Sequence, residues 1–223
     1  MGIVTGFLCI ICFCMLAGKV LTRKCHFEKI DKILLRLHKP VSGILLVCVI
    51  LHIAFVFPVI KSRGAFVSVL GVVAVILIVM LIALCHMMKN KKQRMKWHRI
   101  LTIMIAVGII GHMIAYYIDF HAYRENIKSI SVGELELAEL ADGSYEGEYD
   151  AGYIYARVKV EIKDGRITRV DLLEHRNERG KLAEAILDTV IAQQDIDVDT
   201  VSGATNSSKV IKKAIENALK REP

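Results

Sequence analysis

No cysteine follows Cys85, and the six present (Cys9, Cys12, Cys14, Cys25, Cys48 and Cys85) lie in the first half of the chain. That excludes a disulfide framework for the second half. No Cys-x-x-Cys-His run occurs, which excludes c-type haem attachment. No glycine-rich dinucleotide motif is present, so the chain is not expected to bind NADH or NADPH directly. Acidic residues are nearly absent from residues 1–118, where Glu28 and Asp31 stand against 15 Lys and Arg. The first apolar run has no basic segment before it, no Ala-x-Ala-like cleavage site and no lipoprotein-type cysteine. It is therefore expected to be an uncleaved anchor.

What is present divides at the same place. Of all residues 54% are hydrophobic, and most of that excess falls in the first 118; the mean hydropathy is +0.44. Residues 119–223 carry 15 Lys and Arg against 21 Asp and Glu, an ordinary soluble composition. Four apolar runs, 2–21, 40–60, 64–88 and 100–118, are long enough to cross about 30 Å of hydrocarbon as helices. The basic residues flank these runs instead of forming a nucleic-acid surface, so membrane lipid is an expected partner and nucleic acid is not. Cys9, Cys12 and Cys14 sit within an apolar run, where thiols act as small hydrophobes.

Lys19, Arg23, Lys24, Lys29, Lys32, Arg36 and Lys39 follow the first run, and Lys89, Lys91, Lys92, Arg94, Lys96 and Arg99 follow the third. The loop after the second run holds only Lys61 and Arg63. Positive charge marks the cytoplasmic side, so the N-terminus and the acidic second half are both expected outside, in a multi-pass cell-membrane protein. Residues 25–37 space Phe27, Ile30, Ile33, Leu34 and Leu37 on one helical face. They are expected to form either a helix on the inner surface or an inward extension of the second span.

His38 stands at the cytoplasmic mouth of the second span and His52 near its middle, His98 and His112 likewise on the fourth, and both separations are fourteen residues. Fourteen residues make about four helical turns, roughly 21 Å of rise, with the two side chains near one face. Since the two spans run in the same direction, His38 is level with His98 and His52 with His112. Ionisable groups inside spans are functional candidates, and two matched imidazole pairs suit the axial ligands of two b-type haem irons. Ser42, Gly43, Gly108 and Gly111 would leave room for a flat macrocycle. This spacing resembles that of ferric reductases and transmembrane cytochromes b. Two other readings stand beside it: the histidines as helix–helix hydrogen-bond glue, or as a site for another metal or a proton path. His86 is the alternative inner ligand.

The second half reads as a small α+β domain over 142–223, joined by a helical connector, 119–141, to a transmembrane domain over 1–118. Strands are expected at 153–163 and 166–174 around an Asp164-Gly165 hairpin turn. A helix follows at 181–193, then an extended piece at 196–201, and a last helix capped by Ser207 or Ser208. Before that helix runs Asp199-Thr200-Val201-Ser202-Gly203-Ala204-Thr205-Asn206-Ser207-Ser208, a small-residue loop entering a helix N-terminus. Such an end offers free N–H groups to a phosphate, although a plain capped turn has the same appearance.

The run from Asp199 to Ser207 resembles the flavinylation motif Asp-x-x-Ser/Thr-Gly-Ala-Thr of the FMN-binding domain family. That domain occurs in the flavin-carrying subunits of sodium-pumping NADH:quinone reductase and Rnf complexes. The resemblance implies FMN joined through its phosphate to Thr205 by a Mg-dependent flavin transferase, with Asp199, Ser202, Gly203, Ala204 and Ser207 around it. It also implies a flavin-ring loop near 174–178, where the family's Glu-Thr is Glu178-Arg179 here; His175 in this stretch is expected to be a surface or packing residue. The two halves together imply an electron-transfer protein, passing electrons from a quinol or protein donor through two haems to the flavin and an external acceptor. A haem-free, flavin-carrying subunit of a larger ion-pumping complex is the alternative. A transporter or sensor is a third reading.

Overall fold

The structure, a computed structural model, describes residues 1–133 and 137–220. Residues 134–136, inside the expected connector, and 221–223, at the end of the expected domain, lie outside the described residues. The chain forms two compact units, one of residues 1–61 and 65–115, the other of residues 62–64 and 116–223.

The first unit is helical: α1 (Gly2–Lys24), α2 (Glu28–Val56), α3 (Ala65–Met87) and the first part of α4 (Lys91–Ser129). All four are long and apolar enough to cross a membrane. Helices pair their interior backbone groups internally, which hydrocarbon demands, and the Leu, Ile and Val side chains suit the same surroundings. Large apolar side chains point outward; Phe7, Ile50, Phe66, Ile103 and Val107 are each more than half exposed, an arrangement suited to lipid and unsuited to water. Inside, Leu77, Leu101 and Ile105 pack with Phe13, Ile78 and Ile109. The amphipathic stretch near residues 25–37 is no separate surface helix, because α2 runs unbroken from Glu28. His26, at φ +58, turns the chain between α1 and α2.

The second unit is a three-stranded antiparallel sheet in the order β1 (Gly143–Asp150), β2 (Tyr155–Lys163), β3 (Arg166–Arg176). Asp164 and Gly165 join β2 to β3 with φ of +51° and +66°, the left-handed pair that a two-residue hairpin needs. Along β2 the side chains of Ala156, Val158, Val160 and Ile162 are buried at period two. They meet α6 (Thr205–Leu219), which covers β1 and β2 with Val210, Ile211, Ala214, Ile215 and Ala218.

Several boundaries differ from expectation. β1 was not foreseen, because Gly143-Ser144-Tyr145-Glu146-Gly147-Glu148-Tyr149-Asp150 is polar, and only Tyr145 and Gly147 are buried in it. The helix expected at 181–193 divides into a 3-10 turn, Lys181–Ala185, and α5, Ile186–Gln193. Among the described residues, the extended piece at 196–201 pairs with no strand. Lys212 pins it instead, donating to Asp197 Oδ1 (3.0 Å) and the Val198 carbonyl (2.7 Å). Neither Ser207 nor Ser208 caps α6, which starts at Thr205 without a side-chain cap.

Glu216 ties α6 to the chain leaving α4. Its carboxylate, 1% exposed, accepts from the Gly133 N–H (3.0 Å) and from Lys213 and Lys220. Burial alone would raise its pKa, but these donors prevail and hold it at about 2. Lys213 also donates to the Ser131 carbonyl at 3.1 Å.

Candidate cofactor sites

Thr205 is the first residue of α6, and the loop before it is closed by Ser208. The Ser208 hydroxyl accepts the Val201 N–H (3.1 Å) and donates to the Ala204 carbonyl (3.1 Å), while the Ala204 N–H donates to the Val201 carbonyl (3.0 Å). Gly203 sits at φ +78°, which a side chain would strain. The folded loop buries Ala204 and leaves Asp199, Ser202, Gly203, Thr205 and Asn206 exposed. The N–H groups of the first turn have no acceptor within the helix, and the helix dipole adds partial positive charge. A phosphate on the Thr205 hydroxyl would meet both.

Ser207 faces inward, its hydroxyl buried without a partner. It lies against Gly180, where a Cβ would come within 1.8 Å of Ser207 Oγ. Only glycine permits that approach, and it brings the 177–180 turn, with Glu178, against the start of α6. The Gly180 N–H donates to Asn177 Oδ1 at 2.7 Å, fixing the turn. His175 has a packed side chain, 3% exposed, with Nδ1 3.1 Å from Glu184 Oε1 and Nε2 buried without a partner. It is a packing residue and not a surface one.

The sequence reading missed a second group beside this loop. The Asn206 amide donates to the Tyr123 hydroxyl at 3.1 Å. Tyr123 stacks on Tyr153, with ring centroids 4.7 Å apart and planes at 12°. The Arg63 guanidinium lies 3.7 Å from the Tyr153 ring centroid and pairs with Glu178. The Tyr153 hydroxyl is buried without a well-formed hydrogen bond. Burial pushes its pKa up against the pull of Arg63, and Asp119 pushes the same way as burial. Buried polar atoms are nearly always partnered. Here, among the described residues, Ser207 Oγ, His175 Nε2, Tyr153 Oη and Arg63 Nη1 lack a well-formed hydrogen bond, and the residues bearing them belong to the motif or to the segments packed around it. These residues fit a ligand rich in acceptors and donors.

In the helical unit, the His38 and His98 rings lie with centroids 6.0 Å apart. Two imidazoles sharing one metal at bonds of about 2.0–2.1 Å would be roughly 6 Å apart by the same measure. His52 Nδ1 is 2.9 Å from the Gly2 carbonyl, and His112 Nδ1 is 3.0 Å from the Val67 carbonyl. An imidazole that donates from Nδ1 to a carbonyl keeps Nε2 as the free lone pair, the usual outer-shell support of a ligating histidine. The surroundings repeat as well. Gly6 faces His52 and Gly71 faces His112, each four residues beyond the accepting carbonyl. Val41 and Leu101 are both buried, as are Leu45 and Ile105, at the same 60-residue offset as the histidines. Gly43 and Gly108 face open space, as a bound macrocycle would need, whereas Gly111 faces Leu70. His86 bonds back to the Ile82 carbonyl one turn away. Among the described residues no cluster of three or more His, Cys, Asp or Glu is placed to hold a metal ion; a bis-imidazole haem needs only two.

A small sheet-and-helix domain with a threonine exposed at a helix start is the class that the second unit defines. Residues 151–220 match the family described as the FMN-binding domain, a match that points to flavin-based electron transfer. A protein of Treponema pallidum (strain Nichols), described as an uncharacterized protein, is 25% identical over 179 residues, 76% of this chain and 49% of that one. The chain thus spans about half the length of this curated relative. No solved structure matches it.

Proposed function

We propose that this protein carries electrons across a membrane to an FMN held by the outer domain, with the flavin joined through its phosphate to the Thr205 hydroxyl. The observation that carries this reading is Thr205 itself, exposed at the uncapped start of α6, inside the matched domain and beside buried polar atoms that lack partners. When bound, FMN supplies redox chemistry in one- or two-electron steps. The chain supplies position: the first-turn N–H groups hold the phosphate, Asp199, Ser202, Gly203 and Ala204 shape the loop, Glu178 stands beside the ligand, and Ser207 packs the start of α6 against Gly180. A Mg-dependent flavin transferase is the partner that makes the ester.

His38 with His98, and His52 with His112, would hold two b-type haem irons, which supply one-electron transfer. The N-terminus and the flavin domain lie outside the cytoplasm of a cell-membrane protein in this reading, which the basic residues after the first and third spans support. The donor is quinol or another protein, and the acceptor lies outside.

The test is Thr205→Ala, co-expressed with the transferase. In-gel flavin fluorescence on a denaturing gel is expected to disappear; if it persists, another residue carries the flavin. A second reading, a haem-free subunit of a larger ion-pumping complex, draws on the Nδ1 bonds of His52 and His112. Those bonds serve helix–helix attachment equally well. Purified protein with flavin absorbance and no Soret band would favour it.

A further inference from the structure

We infer that Arg63, from the short segment between α2 and α3, is a cation of the flavin site that sets the flavin's reduction potential, with Glu178 as its counter-charge. The inference rests on the reading of Thr205 as the flavin-bearing residue. It goes beyond the matched domain, because Arg63 lies 88 residues before residue 151.

Residues 62–64 belong to the same compact unit as the flavin domain. The Gly64 N–H donates to Asp119 Oδ2 at 3.2 Å, which anchors the segment beside Arg63. The Arg63 side chain is 12% exposed, unusual for a loop arginine, while its partner Glu178 is 46% exposed. The guanidinium rests on Tyr153, Tyr153 on Tyr123, and Tyr123 accepts from Asn206, the neighbour of Thr205. On the other side Glu178 stands two residues from Gly180, which touches Ser207. Two independent routes therefore bring Arg63 to the start of α6.

A buried guanidinium has five donors to satisfy, and each one left unpaired costs free energy. Glu178 satisfies part of the fork, and the Tyr153 face takes the charge. Nη1 is buried without a well-formed hydrogen bond. A group so placed suits a planar ligand that presents carbonyl oxygens and gains negative charge on reduction, which is the chemistry of a flavin ring. A cation there favours the reduced form, and a carboxylate beside it opposes this.

The opposite signs give the test. Flavinylated wild type, Arg63→Gln, Arg63→Lys and Glu178→Gln are titrated spectroelectrochemically on the flavin absorbance. Arg63→Gln is expected to weaken the reduced form about tenfold, a fall of about 30 mV for a two-electron couple. Glu178→Gln is expected to shift the potential upward, and Arg63→Lys to stay near wild type. A purely structural ion pair predicts that Arg63→Gln and Glu178→Gln move the potential together or not at all, and either result overturns the inference. If Arg63→Gln takes up no flavin, the Lys and Glu178 variants carry the test alone. Wild type without flavin on Thr205 would instead overturn the reading beneath the inference.

Discussion

Polar groups lie within both units, but on different terms. In the helical unit His52 and His112 each satisfy one ring nitrogen on a backbone carbonyl of the neighbouring helix and keep the other. In the α/β unit Ser207, His175, Tyr153 and Arg63 keep buried atoms without a well-formed hydrogen bond. The first arrangement is stable as it stands and offers a single lone pair, which suits a metal. The second leaves several groups unsatisfied around one place, which suits a larger organic ligand with many contacts. Burial without partners is costly, so the α/β site gives up fold stability that the helical site keeps.

The largest effect should come from the helical unit. As a hypothesis from the repeated carbonyl bonds, His52→Ala or His112→Ala should remove one of two haem equivalents, read as half the Soret absorbance per chain, with Thr205 flavin fluorescence intact. Unchanged haem in both variants would leave these rings as helix–helix attachments and erase the contrast. Loss of flavin as well would mean that the two units do not function as separate sites.

Next is the fully satisfied carboxylate of the α/β unit. Glu216→Gln, which weakens the bonds from Lys213, Lys220 and Gly133, is expected to cost about 2 kcal/mol in urea-dependent proteolysis of the purified protein. Because the folded pKa is held at about 2, below the ordinary 4.5, the wild-type contribution is complete above pH 4.5. It fades as the pH falls toward 2. The Gln variant should lack that acid-dependent part; an identical pH profile would remove Glu216 as its source.

The two candidate sites stood out in the sequence to different depths, for a physical reason. Thr205 stood out as a candidate because the motif around it is written in consecutive residues, and the hairpin at Asp164-Gly165 was visible because left-handed backbone restricts residue choice. The histidines showed through spacing alone. Their carbonyl partners, at Gly2 and Val67, left no trace, since any residue supplies a carbonyl. Arg63 was missed because residues 63, 119, 123, 153 and 178 meet only after folding. Its one signal in the sequence was the scarcity of basic residues in that loop. β1 was missed because α6 and β2 supply most of the apolar surface that holds it.

The smallest effect gives the sharpest form of the contrast, between adjacent serines. Ser208 is fully used, accepting from Val201 and donating to Ala204, so Ser208→Ala should cost about 1 kcal/mol by leaving the Val201 N–H unpaired. Ser207 has no partner, so Ser207→Ala should leave stability within about 0.5 kcal/mol of wild type or raise it. Flavin attachment should rank the other way for Ser207, with reduced in-gel fluorescence despite an undamaged fold, because Ser207 belongs to the motif around Thr205. Equal destabilisation by both substitutions would show that Ser207 is satisfied in the folded chain. The unpaired atoms near Thr205 would then lose their value as a sign of what binds there.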